Sequence, residues 1–157
     1  MKYSELVDFY ELIEATTKRL EMTDFLVNLF KHTPGGVIDK VVYLTQGKLY
    51  PDFVGIDMGI AEKMALRALA AATGDSPRKV EQELKDKGDI GLAAESLLKA
   101  KKQVTLFKKE LLVQDVYDAL DKLARTSGAG SVDAKVRALS GLLADAQPVE
   151  AKYIMRT

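Results

Sequence analysis

A chain of 157 residues, 47% of them hydrophobic and 29% charged, is long enough to bury a proper core as one domain or two small lobes. Its 23 basic residues balance 23 acidic ones, so bulk charge draws it toward neither nucleic acid nor membrane, and any such role must rest on local clusters. The absence of cysteine excludes disulfides, thiolate zinc sites and a thiol nucleophile, which fits an intracellular, cytoplasmic protein.

Periodicity predicts helices almost throughout. Leu6, Phe9, Tyr10 and Ile13 fall at i, i+3, i+4, i+7 on one helical face, and the opening "MKYSELVDFYELIE" mixes charged with apolar residues, unlike a signal peptide. Thr23 and Asp24 are placed to cap a second helix with Phe25, Leu26, Leu29 and Phe30, ended by "TPGG" at 33–36. Ile38, Val41, Val42 and Leu44 suggest a third. The Gly and Pro content of 45–59 marks a connection, followed by the Ala- and Leu-rich "IAEKMALRALAAATG" with its terminal Gly74. Ser76 as N-cap, Pro77 at the first helical position and Gly88 as terminator frame the next helix, and Asp89 caps "IGLAAESLLKA". The basic run with Lys99, Lys101, Lys102, Lys108 and Lys109 reads as a linker between possible lobes at 1–100 and 110–157. Val116, Leu120 and Leu123 mark a helix ending at Ser127-Gly128. Ser131 is placed to cap another with Val136, Leu139, Leu142 and Leu143 inward, and Pro148 opens a last one. No segment sustains the alternation of a strand, and no apolar run approaches the ~20 residues of a membrane span. The fold class is all-α, a compact set of helical hairpins, with Leu6, Phe9, Ile13, Phe25, Leu29, Leu66, Leu69, Val116, Leu120, Val136 and Leu139 expected in the core.

Few residues suggest chemistry. His32 is the only histidine, which excludes a His-rich metal site and leaves a Ser-His-Asp arrangement without support. The acids lie among lysines, as in "EQELKDK", the pattern of solvated helix faces. The stretch "TSGAGSVDAK" at 126–135 is more informative. Small flexible residues lead into Ser131 at a helix start, with Lys135 one turn on, an arrangement that offers backbone N–H groups and a positive charge to a phosphate. It lacks the Gly-Lys-Ser/Thr ending of a Walker A loop and follows no strand, which excludes a dinucleotide fingerprint. "KDKGDIGLAAES" at 85–96 is built similarly. Both are either plain helix joints or helix N-termini that meet successive phosphates of a duplex.

The order of the motifs carries a resemblance. "YSELVDFYELIEATTKRLEMTDFL" at 3–26, "MGIAEKMALRALAAATG" at 58–74, "KGDIGLAAES" at 87–96, "VYDALDKLARTSGAGSVDAKVRALSGLL" at 116–143 and "EAKYIMRT" at 150–157 stand in register over nearly the whole chain. Together they resemble the N-terminal DNA-binding domain of the ATP-dependent DNA ligases of archaea and eukaryotic nuclei, most closely the archaeal replicative type. Ala61 stands where that family usually has Gly. Glu21 stands where it can have a basic residue, which weakens the local positive field.

The resemblance implies a domain, residues 1–157, that grips nicked double-stranded DNA through its backbone and minor groove during replication, repair and recombination. It implies a parent enzyme that uses ATP and Mg²⁺ through a Lys-x-Asp-Gly lysine. That motif is absent from these residues, so no catalytic residue, cofactor or metal is expected in them. The family's Gly-Arg-rich minor-groove loop would begin just after Thr157, short of the domain's C-terminal end. By the same resemblance Thr17 and Arg19 align with positions near DNA, Gly128, Gly130, Ser131 and Lys135 form the phosphate cradle, and Arg156 is a contact or a support. The alternative is a helical interaction module for a protein such as a sliding clamp. An independent small enzyme has almost nothing in its favour.

Overall fold

The computed structural model describes residues 1–50, 62–100 and 109–157. Among them are nine helices: α1 (Tyr3–Glu14), α2 (Arg19–His32), α3 (Ile38–Thr45), α4 (Glu62–Thr73), α5 (Pro77–Lys87), α6 (Ile90–Lys99), α7 (Val113–Arg125), α8 (Ser131–Asp145) and α9 (Pro148–Arg156). The only β pairing among the described residues is an isolated antiparallel bridge between Lys2 and Leu112. The all-α reading holds.

Local chemistry explains most helix ends. The Ser76 hydroxyl accepts from the Lys79 N–H at 3.2 Å, Pro77 opens α5, and Gly88 closes it at φ 71°. That left-handed backbone favours a residue without Cβ. The Asp89 carboxylate accepts from the Leu92 N–H at 2.9 Å at the start of α6. Glu5, Asp115 and Glu150 each reach back to the backbone N–H just before their own helices, α1, α7 and α9.

Two helix starts differ from the sequence reading. Helix α2 begins at Arg19, so Thr23 and Asp24 lie inside it, and the Thr23 hydroxyl donates to the Arg19 carbonyl at 3.0 Å. Helix α8 is capped by Gly130 in the left-handed conformation at φ 77°, with Ser131 its first helical residue and no side-chain cap. Part of the 45–59 connection, Ala61 and the lysines at 101, 102 and 108 lie outside the described residues.

Helix α6 packs along α9 and α4 along α8, while α1 packs against α2, α7 and α9. Elements from either side of residues 101–108 therefore share one core, which includes Tyr3, Leu6, Leu29, Leu69, Val80, Leu97, Val116, Leu120 and Leu143. Burial of such aliphatic side chains, about 1.5–3 kcal/mol each, is the main favourable term. Of the expected core, Leu6, Leu29, Leu69, Val116, Leu120, Val136 and Leu139 are buried. Phe9, Ile13 and Phe25 are only partly buried, because α1 and α2 are covered on one side, and Leu66 on α4 is partly buried as well.

Candidate nucleic-acid interface

The sequence candidates fall in two turns and at the end of one helix. The first turn joins α1 to α2. There the Lys18 N–H donates to the Thr16 hydroxyl at 3.2 Å, and that hydroxyl donates to Glu21 at 2.5 Å. Lys18 lies 3.8 Å from the same Glu21. Thr17 and Arg19 are exposed, and among the described residues Arg19 has no carboxylate at ion-pair distance. A guanidinium on the first turn of a helix, beside N–H groups that the helix leaves without acceptors, suits an anion.

The second turn joins α7 to α8. Gly128 and Gly130 adopt φ 93° and 77°, and a Cβ at either would meet nothing within 4 Å. The glycines serve backbone conformation, leaving the turn open to solvent. The Ser131 N–H bonds to the Gly128 carbonyl at 3.2 Å, which tightens the turn ahead of α8. Lys135, one turn on, is 9% exposed and shares the buried face of α8 with Val136, Leu139, Leu142 and Leu143. Most of its side chain is therefore withdrawn from solvent. Exposed charge near this turn comes from other residues: Arg137 on α8, and Lys63 and Arg67 on the helix packed against it.

The third location is the end of α9, where a charge cluster forms that local sequence could not reveal. Arg156 Nη1 lies 3.1 Å from both carboxylate oxygens of Glu14, at the end of α1. Its Nε and Nη2 lie 3.0 Å from Asp89 Oδ2, at the cap of α6. Lys152, with a 7% exposed side chain, pairs with Glu11 at 2.9 Å and Glu14 at 3.7 Å. The Tyr153 hydroxyl donates to Glu14 at 2.5 Å. That hydrogen bond, with help from Arg156 and Lys152, holds the Glu14 carboxyl below its ordinary range. Burial opposes ionisation of Asp89, but the Leu92 N–H and Arg156 outweigh it and hold that carboxyl low too. Burial and the bond to Glu14 push the Tyr153 phenol well up, so it remains a donor. The only sequence signals were Lys152 and Arg156 on one face of α9, and Glu11 and Glu14 on one face of α1.

Arg156 thus sits beside the same end of α1 from which the Thr17–Arg19 turn departs. No hydrogen bond or ion pair among the described residues joins that turn to the 126–131 turn. His32 ends α2, exposed, with its ring 5.9 Å from that of Phe9. No group of three or more His, Cys, Asp or Glu among the described residues could hold a metal ion. No described helix is long and apolar enough to cross a membrane.

Comparison with known proteins bears on what these turns serve. A family model described as DNA ligase N terminus matches residues 2–157. The chain is 55% identical to DNA ligase 2 of Thermofilum pendens, over 100% of this chain and 27% of that protein. It is 46% identical to the DNA ligase of Nitrosopumilus maritimus, over 99% and 26%. It is 41% identical to the DNA ligase of Thermococcus onnurineus, over 100% and 28%. The chain therefore spans about a quarter of the length of these relatives, in their N-terminal part.

Proposed function

This chain belongs to the DNA ligase N-terminal family, and we propose that it is the part of an ATP-dependent DNA ligase that holds nicked duplex DNA while the rest of the parent enzyme seals the phosphodiester. The observation that carries the reading is Arg19, exposed beside Thr17 on the first turn of α2 with no carboxylate partner among the described residues. Thr17 and Arg19 grip phosphates flanking the nick from the minor-groove side. Gly128, Gly130 and Ser131 present the N-terminus of α8 to a further phosphate, and the partly sequestered Lys135 adds charge behind it. The grip needs no large net charge, because backbone N–H groups and helix dipoles supply part of the attraction.

ATP and Mg²⁺ belong to the remainder of the parent. The chain's own residues do not fit either, since the sequence has no Lys-x-Asp-Gly and the described residues offer no metal-ligating cluster. The test is binding of the full-length parent to nicked duplex over a salt series. Arg19→Ala should weaken binding by about three- to tenfold on every sequence and lower the slope of log affinity against log salt by about one. Unchanged affinity and slope in a folded Arg19→Ala protein would leave the turn a plain helix joint.

A second reading, a module that docks a protein such as a sliding clamp, is favoured by the outer side of α2. Leu20, Val27 and Phe30 are 82%, 44% and 38% exposed there. Binding to a protein partner need not follow the steep salt slope of DNA binding, so the same series separates the two.

A further inference from the structure

Two of the motif-like stretches meet in space. "KGDIGLAAES" supplies Asp89 and Gly91, and "EAKYIMRT" supplies Lys152, Tyr153 and Arg156. At Gly91 the backbones of α6 and α9 approach so closely that a Cβ would lie 2.6 Å from the Lys152 carbonyl oxygen and 2.8 Å from Arg156 Nε. The missing side chain lays the Arg156 stem across the first turn of α6. From there the guanidinium fork reaches Asp89 on one side and Glu14 on the other. Its charge is thus spent on two carboxylates, while Arg19 at the neighbouring turn has none.

We infer that Arg156 is a positioning residue for DNA binding: by bridging Glu14 and Asp89 it fixes the end of α1, and with it the Thr17–Arg19 turn, against α6 and α9 without itself touching DNA. The inference rests on the reading of Arg19 as a phosphate contact. Only a planar fork makes both bonds at once, whereas an ammonium of the same charge serves one partner or the other. Glu14 is then a negative charge close to a DNA-binding turn that assists binding, because its pairing with Arg156, Lys152 and Tyr153 sets where Arg19 stands.

The experiment measures binding of the full-length parent to nicked duplex over a salt series, for Arg19→Ala, Arg156→Gln, Arg156→Lys, Glu14→Gln and the double variant Arg19→Ala/Arg156→Gln. Thermal melts confirm that each is folded. Arg156→Gln and Arg156→Lys should each lose most of what Arg19→Ala loses, about three- to tenfold, and the double variant should lose no more than Arg19→Ala alone. Glu14→Gln should also weaken binding, although deleting an acid would tighten it through charge alone. A double variant whose losses add, with a salt slope lower by about two, would make Arg156 a phosphate contact and overturn the inference. Wild-type binding by Arg156→Gln beside an impaired Arg19→Ala would overturn it as well. A silent Arg19→Ala would instead sink the underlying reading of the turn. If Arg156→Gln does not fold, the sign of the Glu14→Gln effect decides.

Discussion

Arg67 Nη2 lies 3.0 Å from Asp133 Oδ1, joining α4 to the first turn of α8. Asp133 already offers a carboxylate to the helix end that is proposed to face a phosphate, and both partners are more than half exposed. Their pairing is therefore worth little in stability, ~1 kcal/mol or less. Asp133→Asn should cost no more than that in a thermal melt. It should also tighten nicked-duplex binding by about two- to fivefold, by freeing Arg67 and removing a competing anion. Unaltered affinity would place the N-terminus of α8 away from DNA.

Helix α7 is anchored by Leu120, which is 1% exposed within the shared core. Leu120→Ala removes packed atoms from a site bounded by other helices, and should cost about 2–5 kcal/mol in a denaturant titration. A loss under ~1 kcal/mol would mean that the surrounding side chains collapse into the space.

Two helical glycines should respond to alanine in opposite directions. Gly91→Ala drives a Cβ into the α9 backbone and should destabilise by about 1–3 kcal/mol. Gly141 lies in α8 with nothing within 4 Å of an added Cβ, so Gly141→Ala should stabilise by about 0.5–1 kcal/mol through helix propensity alone. Equal effects at the two positions would contradict the close approach of α6 and α9.

The cluster at the end of α9 sets a dependence on acid. Glu14 and Asp89 are held below their ordinary values of 4.5 and 3.8 in the folded chain. A depressed folded value gives stability that is fully present above the unfolded value and lost as pH falls through the folded one. Melting temperature should therefore fall as the buffer is taken from about pH 6 to below pH 4, and Glu14→Gln should flatten that fall. The gap between wild type and Glu14→Gln should close at the acid end. A gap that stays constant would mean that Glu14 ionisation contributes nothing to folding.

The all-α architecture was legible because its punctuation is local. Ser76, Pro77, Gly88 and Asp89 each act within a turn of themselves. The start of α2 was not, because its first turn carries Leu20 to solvent and shows no inward period, while Thr23 and Asp24 look like caps although they lie inside the helix. The burial of Lys135 was not legible either. The apolar pattern of α8 shows Val136 and Leu139 inward, but whether the buried arc reaches one residue further depends on how α4 and α7 pack against it. The Arg156 cluster was beyond any local reading, since Glu14 and Arg156 are 142 positions apart and only tertiary packing unites them.

The bridge at the N-terminus has a consequence for synthesis on the ribosome. The Tyr3 N–H donates to the Leu111 carbonyl and the Val113 N–H to the Met1 carbonyl, each at 2.9 Å. Translation makes α1 about 110 residues before these partners, a wait of roughly 5–20 s at ordinary elongation rates. Throughout that interval Leu6 and Val7, fully buried in the finished fold, lack the cover of α7 and α9. The nascent chain thus carries the apolar face of α1 ahead of a half-built domain until the synthesis of α7 and α9 supplies its cover.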